Sequence, residues 1–243
     1  MKNELFNTGN IWLNFISTFI LLVPVICMLL KKSTWNKNFI PLAVCFILLL
    51  CTGLINNDFI ALGEKANTEF ITASVVFQAP LILLFLNYFQ LNPELKKALR
   101  VSLLAYIIGG ILFLSVKGVN SETIGLLLGT GLSLVLIYGL IIFFRQIKES
   151  VHNRRETGKA FMISAVVFAY ACYLFIYLMS YVFHSKENME IKLLFQLATI
   201  ISTLLVSIGL LINVNTPVEI PVEKKMSNLP MLTDWEEYTT GRN

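Results

Sequence analysis

Seven stretches of this 243-residue chain contain no charged side chain: Ile11–Leu30, Phe39–Ile55, Phe70–Gln90, Val101–Val116, Thr123–Phe144, Ala160–Phe183 and Leu193–Val214. A helix needs roughly 17–25 apolar residues to cross a bilayer, and most of these segments reach that length. Val101–Val116 is shorter, but Arg100 and Lys117 at its ends can extend their charges outward and lengthen the span. Charged residues make up 14% of the chain, against roughly a quarter in a water-soluble domain. The expected fold is all-α: a seven-helix transmembrane domain over residues 1–214, followed by a cytoplasmic tail, 215–243. Three prolines (Pro217, Pro221, Pro230) and the acidic aromatic run Trp235–Tyr238 mark that tail as disordered or as a short partner-binding motif.

Lysine and arginine are distributed unevenly between the two sides. Lys31, Lys32, Lys37, Lys96, Lys97, Arg100, Arg145, Lys148, Arg154, Arg155, Lys159, Lys224, Lys225 and Arg242 fall on one side; Lys2, Lys65, Lys117, Lys186 and Lys192 fall on the other. Cytoplasmic loops carry the excess of basic residues, so the expected topology puts the N-terminus outside and the C-terminus in the cytoplasm. The first span is too long for a signal-peptide core and is followed by Lys31–Lys32, so no cleavable signal is expected. A multi-pass protein of the cell membrane, here a bacterial inner membrane, follows. The net charge of +4 resides in membrane-flanking loops and does not point to nucleic acid. The basic 145–159 segment, with Arg154 and Arg155, would anchor to anionic lipid at about 1 kcal/mol per basic residue or dock a cytoplasmic partner, for which Trp235 and Tyr238 are the tail candidates.

The spans hold no Asp, Glu, Lys, Arg or mid-membrane His. Intramembrane ionisable groups carry proton relays and ion pathways, and metal or acid–base catalysis needs ligands or titratable groups at depth. A carboxylate-driven pump, a metal site and an enzyme are therefore not expected. Cys27, Cys45, Cys51 and Cys172 all lie within spans, which disfavours an extracellular disulfide. The polar residues that remain are neutral and follow helical spacing: Ser74 and Gln78; Tyr170, Tyr173 and Tyr177; Thr199 and Thr203 with Gln196 one turn away. Such stripes either hydrogen-bond helices together, at about 0.6 kcal/mol per contact, or line a ligand pocket. Gly125-Leu-Leu-Leu-Gly129 is a small-xxx-small face, suited to close packing within the bundle or to a homo-oligomer or membrane partner.

Several features in order along the chain resemble the microbial (type 1) rhodopsins. They are Pro41 early in the second span, Gly63-Glu64 in the outer loop, Pro80-Leu-Ile-Leu-Leu84, the aromatic run Val166–Tyr173 with Tyr177 beyond, and Asn188–Glu190 followed by Leu193-Leu-Phe195. The resemblance runs from the second helix to the seventh and implies a rhodopsin-like bundle with Tyr170 and Tyr177 along a retinal-type pocket. In that register Thr199 and Thr203 stand at the family's aspartate and retinal-binding lysine. Ser74 stands at the counter-ion, Phe85 at the proton donor, Ile71 at the arginine, Val75 at a tryptophan and Leu174 at the proline of helix six. A Schiff base needs a primary amine, so Thr203 forbids covalent retinal. Because both ends of the ion pair are neutral together, no buried charge is stranded. The expected function is a rhodopsin-fold sensory or accessory membrane subunit without covalent retinal. The alternatives are a non-covalent binder of an apolar ligand such as retinal or a carotenoid, and a transporter of a neutral solute.

Overall fold

The computed structural model describes residues 12–30, 39–57, 59–61, 63–89, 92–118, 120–152, 157–183 and 189–213. Arg154, Arg155, Trp235 and Tyr238, with the whole tail, lie outside the described residues. The elements are α1 (Trp12–Leu30), α2 (Ile40–Asn56), α3 (Glu64–Tyr88), α4 (Pro93–Lys117), α5 (Ser121–His152), α6 (Thr157–Tyr177, prolonged by a π-helical turn Leu178–Val182) and α7 (Met189–Asn213). Among the described residues there is no strand. Six of these helices are long and apolar enough to cross a membrane, and α2, at 17 residues, is a shorter apolar helix. The protein is thus a helical bundle of multi-pass membrane type.

The helix ends follow local chemistry. Pro93 occupies the first turn of α4, where its missing N–H costs nothing, and the Asn92 side chain accepts a hydrogen bond from the Glu94 N–H at 2.9 Å. Asn120 caps α5 in the same way, accepting from the Thr123 N–H at 2.7 Å. Inside α1, Pro24 cannot donate to the Ile20 carbonyl four residues back. The Val23 N–H bonds to that carbonyl instead, at 3.0 Å, and the helix is broken by a turn at Ile20–Leu21.

These ends shift several boundaries from those expected. The short span 101–116 is the C-terminal two-thirds of a 25-residue helix. The outer loop after α2 is cut short because α3 already begins at Glu64. Much of the basic inner segment, 145–152, belongs to α5 rather than to a loop. Charged helix ends outside the apolar spans account for all three differences.

The helices follow one another in chain order around a closed ring: α1 packs on α2 and α7, α2 on α3, α3 on α5, α5 on α6 and α6 on α7. α4 leans on the seam between α3 and α5. Its buried residues Leu99, Leu103, Tyr106 and Gly110 form one narrow helical stripe, and Val101, Leu104, Ile108 and Ile111 are more than half exposed on the other side. α7 has the reverse of a soluble helix's pattern. Gln196, Thr199, Ser202, Thr203 and Ser207 point inward, while Leu197, Ile201, Leu204, Ile208 and Leu211 point outward. Apolar side chains placed outward while polar ones are buried is the arrangement a hydrocarbon solvent favours.

The glycine face of α5 is occupied from within. A Cβ on Gly129 would lie 2.4 Å from Tyr177 Cζ, and one on Gly125 would lie 2.6 Å from Tyr181 Cε1. The two tyrosine rings stack on each other with centroids 5.2 Å apart, at the junction of α6 with its π-helical turn. The Gly125–Gly129 face is an internal α5–α6 contact, the first of its two expected uses. One expectation is corrected: Tyr177 packs on that face and is not among the residues lining the deep cavity that holds Tyr170. Gly129→Leu should lower the thermal midpoint of the detergent-solubilised protein by an overpacking cost of about 1–3 kcal/mol, whereas Thr130→Leu, on the exposed side of the same turn, should leave it nearly unchanged.

Candidate functional site

Two neighbouring cavities lie among α1, α2, α6 and α7, the deeper one also walled by α3. At the end of the bundle that carries the start of α1, the end of α2 and the start of α7 there is a polar vestibule of about 600 Å³. Its wall includes Asn14, Ser17, Thr18, Thr52, Asn57, Ser180, Lys192 and Gln196. Deeper in the bundle is a second cavity of about 40 Å³, walled by Gln78, Tyr170, Tyr173, Thr199, Ser202, Thr203 and apolar neighbours. Leu49 and Thr199 belong to both walls.

The vestibule wall is a chain of amides. The Gln196 side-chain NH₂ donates to Asn14 Oδ1 at 3.0 Å, and Asn14 in turn donates to the Asn57 side-chain oxygen. Asn57 then donates to Thr18 Oγ1 at 3.0 Å and to the Gly53 carbonyl at 2.8 Å. Local sequence explains the convergence. Asn14, Ser17 and Thr18 are three and four residues apart and share one face of α1, and Ser17 and Thr18 each bond back to the Asn14 carbonyl at 2.9 Å. Asn57 closes the end of α2, and Gln196 lies on the inward face of α7. The donations all run one way, so the first member is left over: Gln196 is 97% buried and its Oε1 has no partner.

The partition between the two spaces is a hydrogen bond. The Thr199 hydroxyl donates to the Phe195 carbonyl at 2.8 Å, so the contact of 3.0 Å between Thr199 Oγ1 and Tyr173 Oη must have the tyrosine as donor. Tyr173 is also held by the Phe195 ring at 5.2 Å and the Tyr170 ring at 5.9 Å between centroids. Beyond it, the α7 hydroxyls satisfy themselves: Thr203 donates to the Thr199 carbonyl at 2.6 Å, Ser202 to the same carbonyl at 3.1 Å, and Ser207 to the Thr203 carbonyl at 2.8 Å. Their donor hydrogens are thus returned to the α7 backbone.

The deep cavity is blind toward the opposite end. Phe39, Phe85, Tyr88 and Phe89 form a ring-on-ring cluster there with centroids 5.0–6.1 Å apart, and Phe85, Leu83, Leu86, Met162 and Ile163 are fully buried. Its volume of about 40 Å³ suits two to four water molecules, at roughly 10–15 Å³ of such space each; pockets for drug-sized ligands run to roughly 300–1,000 Å³.

Of the residues singled out in the sequence, Gln78, Tyr170, Tyr173, Thr199 and Thr203 meet around the deep cavity. Ser74 is buried beside it but belongs to neither wall; it donates to the Ile71 carbonyl at 2.8 Å and lies 3.0 Å from the Thr52 hydroxyl. Tyr177 faces α5. Sequence reasoning passed over the amide chain of Asn14, Thr18 and Asn57; the Asn14–Ser17–Thr18 spacing marks a polar face on α1 but not the partners it meets on α2 and α7. Among the described residues no three His, Cys, Asp or Glu side chains gather as a metal site would require. No family model, curated protein or solved structure matches the chain.

Proposed function

We propose that this chain is a seven-span, rhodopsin-like membrane subunit with a sensory role, which receives a small polar molecule in the vestibule and relays its presence through α6 and α7. The observation that carries the reading is the one-sided distribution of space in the bundle. A roomy polar chamber lies at one end, a water-sized cavity that shares Leu49 and Thr199 with it lies deeper, and a fully packed aromatic cluster lies beyond. A chamber with one mouth suits recognition, and the apolar spans carry no charged group to hold a coupling ion for transport. The deep cavity is an order of magnitude smaller than an apolar chromophore needs, which favours a polar ligand over bound retinal or a carotenoid. The rhodopsin-like part of the reading is supported by the chain-order ring and by Tyr170 and Thr203 sharing one cavity wall. With α2 as the seventh span and the basic residues facing the cytoplasm, the vestibule opens outside the cell, and an inner-membrane location and a cytoplasmic signalling partner complete the proposal.

The test is a panel of sugars, polyols, amides, amino acids and carboxylates, scored by the rise in thermal midpoint of the purified protein. At least one should stabilise wild type, since a ligand present at a hundred times its Kd adds about 2.7 kcal/mol. Ser180→Trp and Asn56→Trp, which put an indole into the chamber from opposite walls, should each remove that rise while the protein stays folded. Sustained flux of the same solute through proteoliposomes would instead make the protein a carrier and sink the sensory reading.

A further inference from the structure

A third space lies on the outer side of the bundle. Between α3 and α4 runs a groove of about 350 Å³ that shares no lining residue with the vestibule. Pro80, Tyr106 and Gly110 are its buried members, and Phe77 and Ile111, at 59% and 61% exposed, stand along its rims. The groove is large enough for a ligand, since pockets that hold one begin at roughly 300 Å³. Its exposed rims belong to the apolar outer surface that meets hydrocarbon in a bundle of membrane type.

Gly110 shows that the space is not a by-product of helix packing. At Gly129 and Gly209 the missing side chain makes room for Tyr177 and Met162 of the same chain. A Cβ on Gly110 would meet only Leu127 Cδ2, at an ordinary 3.6 Å. A mid-helix glycine costs about 0.5–1 kcal/mol relative to alanine, and among the described residues no neighbour requires it here. Space beside hydrocarbon is filled by hydrocarbon, because an empty groove forfeits the dispersion contacts of its lining.

The groove ends in two charges of opposite sign. Glu69, near the start of α3, lines it at the end of the bundle that carries the vestibule. Lys117 closes α4 at that same end and lies three residues beyond Leu114 of the lining, so it continues the α4 stripe. Both are exposed, and among the described residues neither has an ion-pair partner. Lys117 Nζ lies 5.2 Å from the Phe113 ring centroid. One wall of an apolar slot is thus capped by a carboxylate and the other by an ammonium.

We infer that the groove holds one zwitterionic bilayer phospholipid with a primary-ammonium headgroup. An acyl chain lies in the slot, the lipid ammonium meets Glu69 and its phosphate meets Lys117. A phospholipid with a glycerol headgroup offers Lys117 the same phosphate but gives Glu69 no cation. The rival occupant is a second copy of this chain, and mass tells the two apart.

Native mass spectrometry of the full chain, released from micelles supplied with phosphatidylethanolamine or phosphatidylglycerol of identical acyl chains, reads the occupant. One phosphatidylethanolamine should stay bound per chain, about fivefold more tightly than phosphatidylglycerol, the upper range for an exposed ion pair. Glu69→Gln should bring the two lipids to equal affinity, and Lys117→Met should weaken both while Lys117→Arg retains them. Ala73→Phe, which builds a ring into the slot from an exposed position of its wall, should remove the bound lipid and leave the protein monodisperse. If that variant does not fold, Glu69→Gln decides, and an unchanged preference for phosphatidylethanolamine overturns the inference. Equal retention of the two lipids by wild type, or undiminished lipid binding in Ala73→Phe, also overturns it. So does a dimer mass that Ala73→Phe converts to monomer, which would make the groove a contact between copies. The sensory reading is untouched by each of these results, because the groove and the vestibule share no residue.

Discussion

Gly209→Val is expected to leave little folded protein. Gly209 lies where α7 crosses α6, and a Cβ there would lie 2.6 Å from Met162 Cγ, 2.8 Å from the Gly158 carbonyl oxygen and 3.0 Å from the Met162 amide nitrogen. Two of those three atoms are backbone, so no rotamer change relieves the clash and the helices must move apart. That separation opens the most intimate helix pair of the bundle around Met162, Ile163 and Val166, all fully or almost fully buried. Overpacking typically costs about 1–3 kcal/mol and occasionally more; a branched side chain against backbone belongs at or above the upper end. Gly209→Ala should already be destabilised, because its Cβ is the clashing atom. Ile208→Val, one residue away on the 42% exposed outward face, should behave as wild type. Size-exclusion profiles and thermal midpoints in detergent read the series. A Gly209→Val protein that is monodisperse and melts with wild type would mean that α6 and α7 do not pack as described.

The second large effect is all-or-none and concerns sidedness. With the basic residues Lys96, Lys97, Arg100, Arg145, Lys148 and Lys159 at one end of the bundle, that end should remain in the cytoplasm and the vestibule should face outward. In sealed cells a membrane-impermeant maleimide should label Lys192→Cys at the vestibule wall. It should reach Glu94→Cys, exposed at the opposite end beside Asn92, only after permeabilisation. The native cysteines supply a low background, because Cys45 is buried and Cys27, Cys51 and Cys172 are only partly exposed within helices. Labelling of Glu94→Cys in intact cells, with Lys192→Cys protected, would invert the topology. The polar chamber would then sample the cytoplasm, and the sensory proposal would have to be recast around an intracellular ligand.

Much of the architecture is legible in one dimension because membrane burial is a matter of composition. A run such as Thr123–Phe144 without a charge has few alternatives to a helix in lipid, and an apolar helix covers most of the described length of each such run. Residues sharing one helix face are legible for the same reason. Thr199 and Thr203 are four apart, and Tyr170 and Tyr173 three apart, so each pair had to point the same way, and both pairs reach the deep cavity. Helix ends were less legible, since Glu64 and Arg145 are charged yet helical: charge excludes a residue from hydrocarbon and not from a helix.

What only the tertiary structure decided is which stripe meets which. The spacing of Tyr170, Tyr173 and Tyr177 is continuous along one helix. Yet the first two turn toward the deep cavity and the third toward α5, because Gly125 and Gly129 leave a recess that only a neighbouring helix can fill. The glycine pair itself reads equally well as an internal seam or an oligomer face until the tyrosine rings are seen in it. The amide chain shows this most fully. Asn57 and Gln196 stand 43 and 182 residues from Asn14 along the chain, and nothing in their local spacing connects the three. Hydropathy measures how strongly each segment avoids water, a property of the segment alone. A polar site is made by the angles at which three helices pack and by the direction in which each amide donates, and those are settled only when the ring closes and α1 meets α7.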